Sequence, residues 1–184
     1  GNKKNLKIIF KKKGLNFVKC NCNKNTNHIF INPVIKSKIL DNHFKNSLSW
    51  KIWAKKVLIK KINDKSENQK FSDSIKEIKK FRKKKIFNVL DIGCSTGNFL
   101  RYCKKNFNWK LHGIEPSYES FKVAKKYCDK DISLKNCNFN DFKTREKFDL
   151  ITFWASLEYI QDINKALKKV KKISNKDSII LIFV

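Results

Sequence analysis

The chain has 184 residues, 41% of them hydrophobic and 12% aromatic, a composition that excludes a disordered chain and suits one domain with a small appendage. No apolar run approaches the ~20 residues that a membrane-crossing helix needs, so a soluble, cytoplasmic protein without membrane insertion is expected. Forty-three Lys and Arg against 16 Asp and Glu leave a formal net charge of +27, which raises nucleic acid as a partner.

That charge is read mainly as solvated surface. Only Arg82, Arg101 and Arg145 carry the guanidinium fork that reads phosphates and base edges. The lysines spread along the whole chain, with runs at 11–13 and 83–85, and an excess of Lys, Asn, Ile and Phe also follows from an AT-rich coding sequence. Nucleic acid is therefore the less favoured partner. Cys20, Cys22, Cys94, Cys103, Cys128 and Cys137 lie scattered, with no signal peptide before them, and are expected as reduced thiols.

Residues 1–46 form a small Cys-containing segment. Short apolar runs at 6–10, 15–18 and 29–31, separated by turn formers, predict a hairpin-like module. Cys20 and Cys22 with His28 are incomplete as a zinc site, which usually takes four ligands and a Cys-x-x-Cys spacing, so no metal is expected. Residues 47–86 read as two amphipathic helices. Trp50, Trp53, Ala54, Val57, Leu58 and Ile62 share one stripe; after a polar break at 63–69, Phe71, Ile75 and Ile78 share another, with Phe81 at its margin.

Residues 87–184 alternate strand and helix. Val89, Leu90 and Ile92 suit a strand buried on both faces. Gly93 and Gly97 bracket a tight loop that opens a helix, whose free N–H groups can receive a ligand's polar end. A dinucleotide fingerprint would need glycine at 93, 95 and 98, where the chain has Gly93, Ser95 and Asn98. The helix turns Phe99, Leu100, Cys103 and Phe107 inward. A strand at 110–115 then ends on Glu115 and Pro116, and Ser117 caps a helix with Tyr118, Phe121, Ala124 and Cys128 on one face. Glu115 lies about 20 residues past the loop, the separation at which α/β cofactor sites place a carboxylate on ribose hydroxyls.

A third strand falls at 132–134 or at 137–139, and Asp141 beyond it is either a helix cap or a site residue. Phe148–Trp154 forms a fourth strand, Asp162 caps a helix with Ile163, Ala166, Leu167, Val170 and Ile173 inward, and 178–184 forms a fifth. Such alternation predicts a parallel sheet. Because the last strand has nothing after it to cover its edge, a C-terminally truncated fragment is expected.

Asp91-Ile92-Gly93-Cys94-Ser95-Thr96-Gly97 resembles motif I, Asp/Glu-x-Gly-x-Gly-x-Gly, of the class I S-adenosylmethionine (AdoMet)-dependent methyltransferases, with Ser95 at the middle glycine. Phe148-Asp149-Leu150-Ile151 followed by Leu157-Glu158-Tyr159 resembles their motif IV, with Tyr159 where histidine is common. The resemblance covers residues 87–184 and implies a Rossmann-like, doubly wound α/β fold with a mainly parallel sheet. It implies an AdoMet-dependent methyltransferase acting on a small-molecule acceptor such as a sugar, quinone or lipid precursor, with an RNA methyltransferase as the alternative. In that reading Asp91, Gly93, Cys94, Ser95, Thr96 and Gly97 hold the methionine end, Glu115 and Pro116 the ribose, and Asp141 and Phe142 the adenine. Trp154 and Ala155 floor the pocket beside the reactive methyl. Glu158 and Tyr159 are close enough to serve as a general base, and neither is singled out as catalytic. Cys20 to Asn32-Pro33 also looks like the second half of the zinc-ribbon-like segment that opens some bacterial methyltransferases.

Overall fold

The computed structural model describes residues 6–21, 28–53, 56, 64–81 and 84–184, which divide between two compact units, 1–40 and 41–184. In the first, β1 (Leu6–Lys12), β2 (Leu15–Cys20) and β3 (Ile29–Asn32) make an antiparallel sheet in the order β1-β2-β3. Lys13 and Gly14 join β1 to β2 with φ of 48° and 79°, the left-handed backbone that matches a two-residue hairpin loop to the twist of its strands. Val18 is buried, whereas Ile8, Ile9 and Phe10 remain exposed. Cys20 is disulfide-bonded, against the expectation of reduced thiols throughout. Cys22 lies outside the described residues, so the Cys20, Cys22 and His28 grouping is not described.

The second unit is built on a five-stranded parallel sheet in the order β6-β5-β4-β7-β8: Ser133–Lys135, Lys110–Ile114, Asn88–Ile92, Phe148–Trp154 and Ser174–Phe183. Helices α3 (Lys65–Phe81), α4 (Asn98–Asn106), α5 (Tyr118–Tyr127) and α6 (Ile163–Ile173) accompany it, after α1 (Ser37–Asn46), which starts in the first unit, and α2 (Leu48–Trp53). Successive strand residues alternate between the two faces. Val89 and Leu150 join Phe71, Ile75 and Ile78 of α3 and Phe99, Leu100 and Cys103 of α4 on one side. Leu90, Ile92, Ile151 and Phe153 join Ala166, Val170 and Ile173 of α6 on the other. Covering both faces is what allows β4 and β7 to be apolar almost without interruption.

Several expected faces are narrower in the structure. Phe81 is 83% exposed because the buried stripe of α3 stops one turn earlier, at Ile78. On α5 the buried positions are Ser120 and Ala124, while Tyr118 stands in solvent. On α6 Ile163 and Leu167 are exposed. Trp53, at the end of α2, is 41% exposed; the side chain of Trp50 and residues 54–55 and 57–63, which carry the rest of that expected stripe, lie outside the described residues. The third strand takes the earlier of its two expected positions, and β8 begins at Ser174, directly after α6. Cys94, Cys103, Cys128 and Cys137 are free thiols. Among the described residues no helix is long and apolar enough to cross a membrane.

Candidate functional site

From β4 the chain runs outward through β5 to β6, then returns to lay β7 against the other side of β4. The connections that leave β4 and β7 thus diverge, opening a crevice at the carboxyl ends of the strands where open α/β sheets bind ligands. Asp91, Gly93, Glu115, Ala155 and Ser156 are brought together there.

Asp91 is buried, and its Oδ1 accepts a hydrogen bond of 2.7 Å from the hydroxyl of Thr152, its register partner on β7. Burial pushes the Asp91 carboxyl up to about 7, against the Thr152 bond and with a smaller push from the Glu115 charge. Glu115 is also buried, and burial pushes it up to about 7 as well, against two backbone donors. Its Oε2 accepts from the Ser95 N–H and its Oε1 from the Ser117 N–H, each at 2.8 Å. Each oxygen keeps a lone pair for a further donor.

The loop between them is set by backbone bonds. The N–H groups of Gly93 and Cys94 both donate to the Ile114 carbonyl, at 2.9 and 3.0 Å, and the Gly97 N–H donates to the Cys94 carbonyl at 2.8 Å. Gly93, Ser95 and Gly97 have φ of 76°, 52° and 78°. A side chain at Gly93 would be strained twice, by that angle and because its Cβ would stand 2.6 Å from the Ser156 Cβ. Ser156 is fixed in turn by donating from Oγ to the Ile92 carbonyl at 2.5 Å.

Cys94 contributes its backbone to the loop, while its thiol is buried over Gly113, where an added Cβ would meet it at 2.8 Å. Burial raises that thiol well above the usual cysteine range. Thr96 is buried; Arg101 of α4 donates to its carbonyl at 2.7 Å and to Asn98 Oδ1 at 2.5 Å, strapping the loop to the first turn of the helix. Asn136 donates to the carbonyls of Glu115 and Pro116, at 2.7 and 3.2 Å.

The remaining expected site residues lie differently. Asp141 closes a turn over 139–141 and is exposed; it caps no helix, and its N–H donates to Asn138 Oδ1 at 2.9 Å. Phe142 is only 4% exposed and packs in the α6-side core. The Trp154 ring packs on the other side, 4.9 Å from Phe71 and 5.3 Å from Phe99, and its indole N–H is buried without an acceptor among the described residues. Ala155 takes φ of 47° and donates its N–H to the Phe183 carbonyl at 2.7 Å. Glu158 and Tyr159 are exposed on a 3-10 turn, Leu157–Tyr159, with Tyr159 edge-on to Phe44 at 5.3 Å. Thr152, Ser156 and Asn136 are the positions that sequence reasoning missed.

Residues 55–184 match a family described as Methyltransferase domain. A 23S rRNA (cytidine-2'-O)-methyltransferase of Campylobacter jejuni is 31% identical over 94 residues, covering 51% of this chain and 36% of that relative. A ubiquinone biosynthesis O-methyltransferase of Pelagibacter ubique is 30% identical over 101 residues, covering 53% of this chain and 42% of the relative. The matched segments thus span less than half the length of these curated relatives. The plantazolicin methyltransferase BpumL, solved in complex with SAH, superposes with a TM-score of 0.64 at 19% identity, covering 79% of this chain and 57% of that one. A likeness at that identity establishes the shared Rossmann-like fold.

Proposed function

Because the chain belongs to the methyltransferase-domain family, which its residues 55–184 match, we propose that it binds AdoMet in the crevice between β4 and β7 and methylates a small-molecule acceptor. The observation that carries this reading is the pair of buried carboxyls, Asp91 and Glu115, on adjacent strand ends around the 93–97 loop. The donor set of AdoMet fits them: two ribose hydroxyls and an ammonium can satisfy acceptors that are costly to bury ionised. Glu115 retains one lone pair per oxygen beyond the Ser95 and Ser117 bonds.

When bound, AdoMet supplies a methyl group on a sulfonium that is already a strong electrophile, so alignment and exclusion of water can account for much of the acceleration. Glu115 orients the ribose, and the free N–H groups at the start of α4 face the methionine end. Asp91, held by Thr152, steadies the strand end beside them and favours a cation nearby. Asp141, exposed at the turn after β6, accepts from the purine amino group, with the Phe142 backbone rather than its buried ring at the pocket edge. No side chain is assigned as general base. A small-molecule acceptor is supported by the ubiquinone and plantazolicin relatives, and the rRNA relative supports the alternative of an RNA acceptor.

Calorimetric titration of S-adenosylhomocysteine (SAH) tests the reading. Micromolar binding is expected, weakened about tenfold or more in Glu115→Gln, since each hydrogen bond to a charged group is worth about 1.5–3 kcal/mol. A folded wild-type protein that does not bind SAH would overturn the reading. Methyl transfer assayed on quinols, amino sugars and RNA side by side then separates the acceptor classes.

A further inference from the structure

The turn that carries Asp141 is gripped by a side chain from another element. Lys169 of α6 donates from Nζ to two successive backbone carbonyls, those of Phe139 at 2.5 Å and Asn140 at 3.0 Å. The same ammonium lies 4.9 Å from the ring centroid of Phe139 and 6.0 Å from that of Phe142. Both rings are buried against Ala166, Val170 and Ile173 of the same helix. One charge thus fixes two consecutive peptide planes and sits against the two rings that anchor the turn. From the other side Asn138 accepts from the N–H groups of Asp141 and Phe142, with its side chain and its carbonyl respectively. The turn is held on both flanks, and the only carboxylate it presents is that of Asp141, which is exposed.

We propose that Lys169 is a positioning residue that holds the 139–142 turn in the shape presenting Asp141 to the amino group of a bound purine. The inference rests on the cofactor reading above. Without Lys169 the carbonyls of Phe139 and Asn140 lose their donor, and the peptide planes leading into Asp141 are free to rotate. Charge is essential to the grip, because a neutral amine loses the attraction of the ring faces and weakens both hydrogen bonds. Burial lowers the affinity of Lys169 for its proton, opposed by Cys137 and Asp141 and reinforced by Lys165. Lys135, 5.3 Å from the Phe142 ring, adds a second positive charge on the β6 side.

The test compares wild type with Lys169→Met, Lys169→Arg and, as a control for charge on an exposed neighbour, Lys168→Met. SAH affinity is read by calorimetry, and backbone amide exchange of Asp141, Phe142 and, as a reference, Leu150 is read without ligand. Lys169→Met is expected to weaken SAH about tenfold, the loss of roughly one charged hydrogen bond, and to speed exchange at Asp141 and Phe142 with Leu150 unchanged. Lys169→Arg should restore both readings and Lys168→Met should match wild type. Wild-type affinity should also fall more steeply at alkaline pH than that of Lys169→Arg, because the ligand's own ammonium titrates alike in both and only the wild type loses a charge at position 169. If Lys169→Met binds SAH as wild type does, or if the pH profiles of wild type and Lys169→Arg coincide, the positioning role is overturned and the cofactor reading stands. A wild-type protein that binds no SAH overturns both.

Discussion

Thr152 is fully buried on β7, and its hydroxyl ends on Asp91 Oδ1. Replacing it with Val keeps the shape and removes the donor, so the cost depends on the charge of Asp91. Unfolded, Asp91 titrates near the ordinary aspartate value of 3.8, and burial in the fold raises it to about 7. The fold therefore holds the proton more tightly than the unfolded chain does. The stability Asp91 contributes is complete at pH below 3.8 and is lost as pH rises toward about 7. At pH 5.5 the folded carboxyl is protonated with or without Thr152, and Thr152→Val should cost only about 1 kcal/mol. At pH 8 the carboxylate is ionised, and losing its donor should cost about 1.5–3 kcal/mol. Urea unfolding at the two pH values measures the difference; an equal loss at both would place the Asp91 carboxyl elsewhere on the pH scale. Thr152, like Ser156 and Asn136, was illegible in the sequence for a physical reason. A short polar side chain inside an apolar strand makes no periodic signal, and its partner stands 61 residues away. Glu115 was legible as a buried polar group because a carboxylate ending an apolar strand needs donors beside it, which the N–H groups of Ser95 and Ser117 supply.

At the level of elements, the strands of the parallel sheet and their succession along the chain could be read largely from apolar runs and glycine punctuation, because buried parallel strands tolerate few polar residues. The breadth of helix faces could not, since periodicity gives the direction of a stripe and says nothing of how far neighbouring elements reach around it. Helix α6 shows the gap. Its apolar positions form one stripe in sequence, yet Ala166, Val170 and Ile173 are buried while Ile163 and Leu167 are 46% and 39% exposed. Val170→Ala should therefore cost about 1–3 kcal/mol through lost burial and a residual cavity. Leu167→Ala removes a larger side chain yet should cost less, about 1 kcal/mol, because Leu167 remains 39% exposed in the fold. Denaturant midpoints with unchanged m-values decide it; equal costs would mean that Leu167 is covered in the folded protein. Phe142 and Trp154 illustrate the same limit at the site. Both were expected to touch ligand, and both rings instead close the core on opposite faces of the sheet, because a large aromatic beside a strand end finds more apolar area beneath it than in the crevice.

Over the whole molecule the charge of +27 must be reconciled with a site built to take one small cofactor. Lysines without an adjacent arginine grip make a diffuse field, which attracts any polyanion and specifies none. RNA binding driven by that field should weaken about a thousandfold or more between 50 and 200 mM salt, as counterions compete for the phosphates. The crevice behaves differently. The contacts proposed there for AdoMet are hydrogen bonds to the buried carboxyls of Asp91 and Glu115 and to N–H groups at the start of α4, which salt screens little, so SAH affinity should stay within about twofold over the same range. Filter binding of a single-stranded RNA and calorimetry of SAH, run at matched salt on the same preparation, separate the two. Parallel loss of both would mean that the cofactor site depends on the surface field. RNA binding that persists at 200 mM salt and discriminates between sequences would turn the lysines from background into a recognition surface, and the acceptor would then be sought among structured RNAs.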